Sequence, residues 1–101
     1  MLPFPFTDLS GHKLRLALVL AIRTSDITVA FILSQVQHLR SADVLIQPSA
    51  INGLRVPSLI CTDKLATIEV RLAKGELGDL DASYRTEVNR KLTEALLLPA
   101  L

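Results

Sequence analysis

Arg15 follows Lys13 by two residues and His12 by three, and two more polar pairs, Ser34-Gln35 and Asp63-Lys64, interrupt apolar stretches further along. A guanidinium stays charged at any physiological pH and grips two phosphate oxygens in one plane. Arg15 therefore suits the stabilisation of a phosphate whose negative charge grows during attack, and Lys13 suits a second phosphate contact. His12 titrates near neutrality and has the chemistry of an acid or base. Each has a plainer reading: a solvated or salt-bridged strand arginine, an exposed loop histidine, a strand serine, a strand-end glutamine, and a turn-closing Asp63-Lys64 ion pair. Cys61 has no histidine near it in sequence and reads as a half-buried strand residue rather than a nucleophile. Two histidines and one cysteine lack metal-site spacing, and no phosphate-cradling glycine loop is present. One tyrosine and three phenylalanines are too few for a single-strand binder that works through aromatic stacking.

Composition limits the frame that must hold these groups. The 101 residues allow one domain, taken as 1–101, and the 50% hydrophobic and 21% charged content excludes extensive disorder. The net charge of +1 excludes a bulk polyelectrolyte. Residues 13–55 carry +3, whereas 56–101 carry −1, so the first half could offer a weakly basic surface to phosphate. The longest apolar run, 16–22, is far below the roughly 18 residues of a membrane span. The opening residues lack the pattern of a signal peptide, and a single cysteine fits a reducing compartment, so a cytoplasmic location is expected. Twenty leucines exceed what so small a domain buries alone, which favours self-association.

Periodicity then supplies the elements. Pro3-Phe4-Pro5-Phe6 reads as an edge or an extended lead-in, because proline lacks a ladder donor, and 7–11 reads as a turn. Residues 14–23 alternate. Leu14, Leu16, Leu18, Leu20 and Ile22 form a bulky core face, and the other face is small in the middle and cationic at its ends. A turn at 24–26 leads into a second strand over 27–35, making a hairpin. Short strands are expected at 43–47 (stopped by Pro48), 59–61 and 65–70, with a turn at Asn52-Gly53 and a glycine-punctuated connection over 74–78. Tyr84, Val88, Leu92, Ala95 and Leu96 recur at helical spacing after an N-cap candidate, Asp81, and Pro99 ends the helix. The fold class is mainly β, with short antiparallel strands and one C-terminal helix.

The string Pro3-Phe4-Pro5-Phe6-Thr7-Asp8-Leu9-Ser10-Gly11, followed by Leu14-Arg15-Leu16-Ala17-Leu18-Val19-Leu20, resembles the PemK/MazF family of toxins from type II toxin–antitoxin systems. Residues 30–35 and 57–68 match later strand regions of that family in order. The resemblance implies a small antiparallel, SH3-like or barrel-like sheet of the MazF/CcdB type with a packed C-terminal helix, forming a homodimer. It implies a sequence-selective endoribonuclease that cuts single-stranded mRNA with no metal or other cofactor, leaving a 2′,3′-cyclic phosphate and a free 5′-OH. It also implies a cognate antitoxin that blocks the RNA groove. On this basis Arg15 is the catalytic residue, and Ser10, Lys13, Ser34, Gln35 and Lys64 bind substrate.

Three departures set further expectations. Met1 falls almost on the Pro-Phe-Pro-Phe segment, so that most of the strand that the family places before it is either missing or encoded upstream, and without it an unpaired edge is expected beside the 14–22 strand. Arg15 is followed by leucine where the family has proline. Leu33 stands where the family commonly has threonine or serine, and Ser34 beside it should point to the opposite face of a regular strand. Two other functions stay open: an impaired family member that binds antitoxin or RNA without cutting, and a toxin like the gyrase poison CcdB, acting on a protein.

Overall fold

The computed structural model describes residues 5–9 and 15–97. The order is β1 (Pro5–Leu9), β2 (Arg15–Ile22), β3 (Asp26–Leu33), β4 (Asp43–Ile46), β5 (Ser58–Glu69), a 3-10 turn (Val70–Leu72), β6 (Ala73–Asp79) and α1 (Ala82–Leu96). The strands form one antiparallel sheet in the order β4-β5-β3-β2-β1-β6, curled into a half-barrel. Register shifts between Val19 and Ala21 on β2, and between Ala30 and Ile32 on β3, are the bulges that bend it.

Both faces of the sheet are packed. Leu18, Ala30, Ile32, Val44, Ile46, Ile60 and Leu80 form a core beneath Val88 of α1, with Leu16, Leu20, Tyr84 and Leu92 around it. Ala17, Val19, Ile27 and Val29 form a second cluster with Phe31, Ala66, Ile68 and Ala73. The alternation in β2 therefore separates two cores rather than a core from solvent. Its second face is small because Ala17 and Val19 are enclosed by the curl.

Four expectations are corrected. Residues 7–9, read as a turn, belong to β1, and β1 is an inner strand paired to β2 on one side and β6 on the other. Pro5 fits because it is the first residue of the strand, where its missing N–H is tolerated. β2 accordingly has β1 and β3 as neighbours and no unpaired edge. The two short strands expected at 59–61 and 65–70 are one strand, Ser58–Glu69, with an interruption, because three extra residues loop out between the Ala30–Leu65 and Ile32–Ile60 pairs. The glycine-bearing segment 74–78 is strand β6, with register shifts against β1.

Ion pairing fastens the interruption in β5. The Arg40 guanidinium donates to both oxygens of Asp63, at 2.7 and 3.0 Å, and to Asp43 Oδ1 at 2.9 Å, while the Arg40 backbone N–H donates to Asp43 Oδ2 at 2.9 Å. Asp63 thus pairs with a residue 23 positions away, not with its neighbour Lys64. Burial pushes the Asp43 carboxyl up, but the Arg40 N–H and guanidinium outweigh it and leave its pKa below the ordinary 3.8. The Asp63 carboxyl is lowered mainly by its hydrogen bonds from Arg40. Cys61 is fully buried, and desolvation followed by the charge of Asp43 pushes its thiol up, the reverse of an activated nucleophile.

Candidate functional site

β2 begins and β3 ends at the same margin of the sheet, since the Ala17–Phe31 pairing runs on towards Arg15 and Leu33. Facing them is the segment 53–56 of the 47–57 connection between β4 and β5, with Leu77 of β6 beside it. Together they enclose a groove of about 600 Å³, within the range of small-ligand sites. Phe31, Ile32, Leu33, Leu54, Val56 and Leu77 give it apolar walls, and its polar groups are Arg15, Ser34, Arg55 and Ser58. Among the described residues, no aspartate or glutamate lines it.

Four hydrogen bonds from one buried side chain hold the far wall. Asn52 is 0% exposed, and its Oδ1 accepts from the Ser49 and Leu54 N–H groups at 3.0 and 2.9 Å. Its Nδ2 donates to the Gln47 carbonyl at 2.9 Å and to Asp81 Oδ1 at 2.8 Å, so every hydrogen-bonding capacity of the amide is used. Ser49 Oγ donates to the other Asp81 oxygen at 2.6 Å. Asp81 is the N-cap of α1 by position, as expected, but its side chain caps no helical N–H; it anchors this connection instead. Gly53 has φ +69, and a Cβ there would collide with the Leu77 carbonyl; a Cβ at Gly78 would collide with the Ile51 carbonyl. The Asn52-Gly53 turn is thus real, but it seats a loop against β6 rather than closing a hairpin.

Of the residues singled out by sequence, the groove brings together Arg15 and Ser34, with Leu33 between the two walls. Ser34 shares the groove with Leu33 because β3 ends at Leu33, so strict alternation no longer sends them to opposite sides. Gln35 and Lys64 are exposed and lie outside its lining. Ser10, His12 and Lys13 lie outside the described residues, as does Pro99. Arg55, which no motif marks in the sequence, also lines the groove. Its signal is faint, a base two residues beyond the Asn52-Gly53 turn.

Comparison with known proteins settles the lineage. The family described as "PemK-like, MazF-like toxin of type II toxin-antitoxin system" matches residues 2–96. The chain belongs to this family. No curated protein gives a significant match. Among solved structures, this PemK/MazF-like chain is similar to the Mycobacterium tuberculosis toxin MazF-mt6, at 28% identity and a TM-score of 0.77, covering 90% of this chain and 94% of that one. An Mtb toxin is similar at 26% identity and a TM-score of 0.75, covering 90% and 99%. An endoribonuclease in complex with its cognate antitoxin, from a mycobacterial species, shares the fold at 18% identity and a TM-score of 0.79, covering 98% and 97%. The mainly β, curled-sheet architecture with one C-terminal helix is thus that of the MazF toxins. Among the described residues of this family member, no helix is long and apolar enough to cross a membrane.

Proposed function

We propose that this PemK/MazF-like chain is a toxin that arrests growth by cutting single-stranded mRNA at selected sequences, without a metal ion. We further propose that it does so in the cytoplasm, as a homodimer restrained by a cognate antitoxin. The observation that supports this best is the groove with Arg15 at the start of β2 on one wall and no acidic residue among its described lining. Among the described residues the Arg15 side chain has no acidic partner, which removes the salt-bridged alternative within that set and leaves its charge for a phosphate.

In the proposed reaction the 2′-OH of the substrate attacks the adjacent phosphorus and gives up its proton. A P–O2′ bond forms and the P–O5′ bond breaks. The O5′ leaving group takes up a proton, and the products are a 2′,3′-cyclic phosphate and a 5′-OH. Arg15 stabilises the extra negative charge of the five-coordinate phosphorane, a contribution that grows in the transition state and so accelerates the step. The charge that a metal ion would meet is met by the guanidinium. Ser34 Oγ, in the same groove, supplies a hydroxyl next to Leu33. Ser10, Lys13, Gln35 and Lys64 are assigned to the flanking RNA contacts. Ile22 and Val70, exposed beside a second cavity, are apolar surface that a second copy would cover, and a specific dimer should bury above ~1,000 Å².

The test is incubation of the purified protein with single-stranded RNA in the presence of EDTA, with end-group analysis and light scattering. Discrete fragments carrying cyclic phosphate, from a particle of twice the chain mass, are expected. Cleavage that EDTA abolishes, or a monomer at micromolar concentration, would overturn the corresponding part. Leu33 favours one second reading, a family member that binds antitoxin but cuts poorly, and this is the outcome if antitoxin binds and no fragments appear.

A further inference from the structure

Four of the seven arginines are committed to carboxylates. Arg23 pairs with Asp26, Arg40 with Asp43 and Asp63, Arg71 with Glu69, and Arg90 with Glu87 and Glu94. Arg15 and Arg55 make no side-chain hydrogen bond or ion pair among the described residues. These two line the same groove, from opposite walls. We infer that Arg55 is a second phosphate-binding residue of the groove, holding a backbone phosphate next to the one engaged by Arg15. The inference rests on the RNA-cleaving reading above and adds the residue that fixes the path of the strand.

Three features support it. Among its described lining the groove has no carboxylate that competes for the Arg55 guanidinium, which leaves that charge open to an entering anion. The backbone that carries Arg55 is held in advance: Asn52, three residues earlier, is fully hydrogen-bonded, and Gly53 is locked against Leu77 by its left-handed conformation. A preorganised wall loses little freedom on binding. Val56 and Leu77 near it, with Leu33 also in the lining, are exposed and give apolar surface for bases. Single-strand binders combine a cationic track for the backbone with platforms for bases, and this groove has that layout with aliphatic rather than aromatic platforms. A guanidinium is suited to the backbone here because it meets phosphate with two parallel hydrogen bonds and needs no particular base.

The experiment compares wild type, Arg55→Ala and Arg55→Lys. It measures cleavage of single-stranded RNA and binding of 2′-O-methyl RNA oligonucleotides, which have no 2′-OH to attack, across a salt series. Arg55→Ala is expected to weaken binding of oligonucleotides of unrelated sequence to a similar degree, by roughly tenfold at low salt. Its log K against log salt slope should fall by about 0.7, the loss of one phosphate contact on a single strand. KM should rise with kcat little changed, and Arg55→Lys should restore most of the slope. An unchanged slope, a loss confined to one sequence, or a fall in kcat with KM unchanged would each overturn the inference. Arg55 is exposed, so the variants should melt as wild type does; a large drop in melting temperature would place Arg55 in the fold instead. Wild type that binds the oligonucleotides in a salt-dependent way but cuts no RNA sinks the cleavage reading and leaves the Arg55 contact standing, whereas wild type that does neither sinks both.

Discussion

Arg40 and Arg15 lie in the same small sheet, in opposite surroundings. Arg40 is saturated: one carboxylate is buried beneath it, a second is clasped across two strands, and Lys91 of α1 donates to the Asp43 carbonyl at 2.8 Å from the other side. Arg15, together with Arg55, lines a concavity with no acid among its described lining residues. A guanidinium that meets its carboxylates within the chain contributes to the fold, and one left without them is available to an outside anion. The difference teaches that charge type alone does not mark a functional arginine, and that the partners around it do. This comparison can be broken or sharpened by substitution.

The largest effect is expected at Arg15. Arg15→Ala should lower RNA cleavage by about 10²-fold or more and abolish growth arrest, while the melting temperature stays near that of wild type. Cleavage at the wild-type rate would remove the residue from the mechanism.

Arg40→Met should act in the opposite way, lowering the melting temperature by several degrees. It strands the Asp43 carboxylate in the interior, where an unpaired charge is costly. The pH dependence follows from the direction of the shifts. Asp43 and Asp63 have folded-state pKa values below the ordinary one, so their pairing contributes stability above about pH 4. That contribution is lost as pH falls through the lowered values. Wild type should therefore lose stability steeply below about pH 4, and Arg40→Met should show a flatter acid limb from a lower plateau, measured by thermal melts between pH 2 and 7. Parallel acid limbs in the two proteins would mean that the clamp is not the source.

Leu33→Thr sharpens the groove side. It places a hydroxyl beside Ser34 at the end of β3, on a β-branched residue that suits a strand, and should raise cleavage several-fold. No change, in a wild type already fully active, would show that Ser34 suffices. The smallest effect is expected for Arg90→Ala. This arginine is paired with Glu87 at 3.0 Å and Glu94 at 2.8 Å, but on the exposed face of α1, where such pairs contribute little. Cleavage and melting temperature should both match wild type within error, and a clear loss of either would contradict the separation of roles drawn above.

Sequence made the locally determined elements readable. The alternation of 15–22, the turn at 24–26, the stop at Pro48 and the helix after Asp81 all appear in the structure, because each is written in near neighbours. The failures share one cause, which is distance along the chain. β1 looks like a turn because Thr7 and Asp8 have turn chemistry, yet partners on both sides draw it into the sheet. β6 looks like a linker because of its glycines, and Gly78 is there for the close passage of the Ile51 carbonyl. β5 looks like two strands because three residues bulge out of it, and the arginine that ties them down comes 23 positions earlier. At the candidate site, Arg15 was singled out by the family resemblance of the string around it, and the structure places it in the groove. Arg55 was not, because only the folded 47–57 connection places it across from Arg15.

The two glycines that interlock the 47–57 connection with β6 also bear on how the molecule comes apart. Gly53 lies against the Leu77 carbonyl, Gly78 against the Ile51 carbonyl, and the Asp79 N–H donates to Ile51 at 2.9 Å. One wall of the groove is therefore fastened to the edge strand β6, whereas the main core lies with the inner strands β2, β3 and β5, and with β4 at the opposite edge, under α1. Outer strands fray at lower free energy than inner ones, through local openings that leave the rest intact. As the molecule is warmed, RNA-binding capacity should disappear at a lower temperature than the cooperative melt, with amide exchange in β6 and at Ile51 accelerating together while the inner strands remain protected.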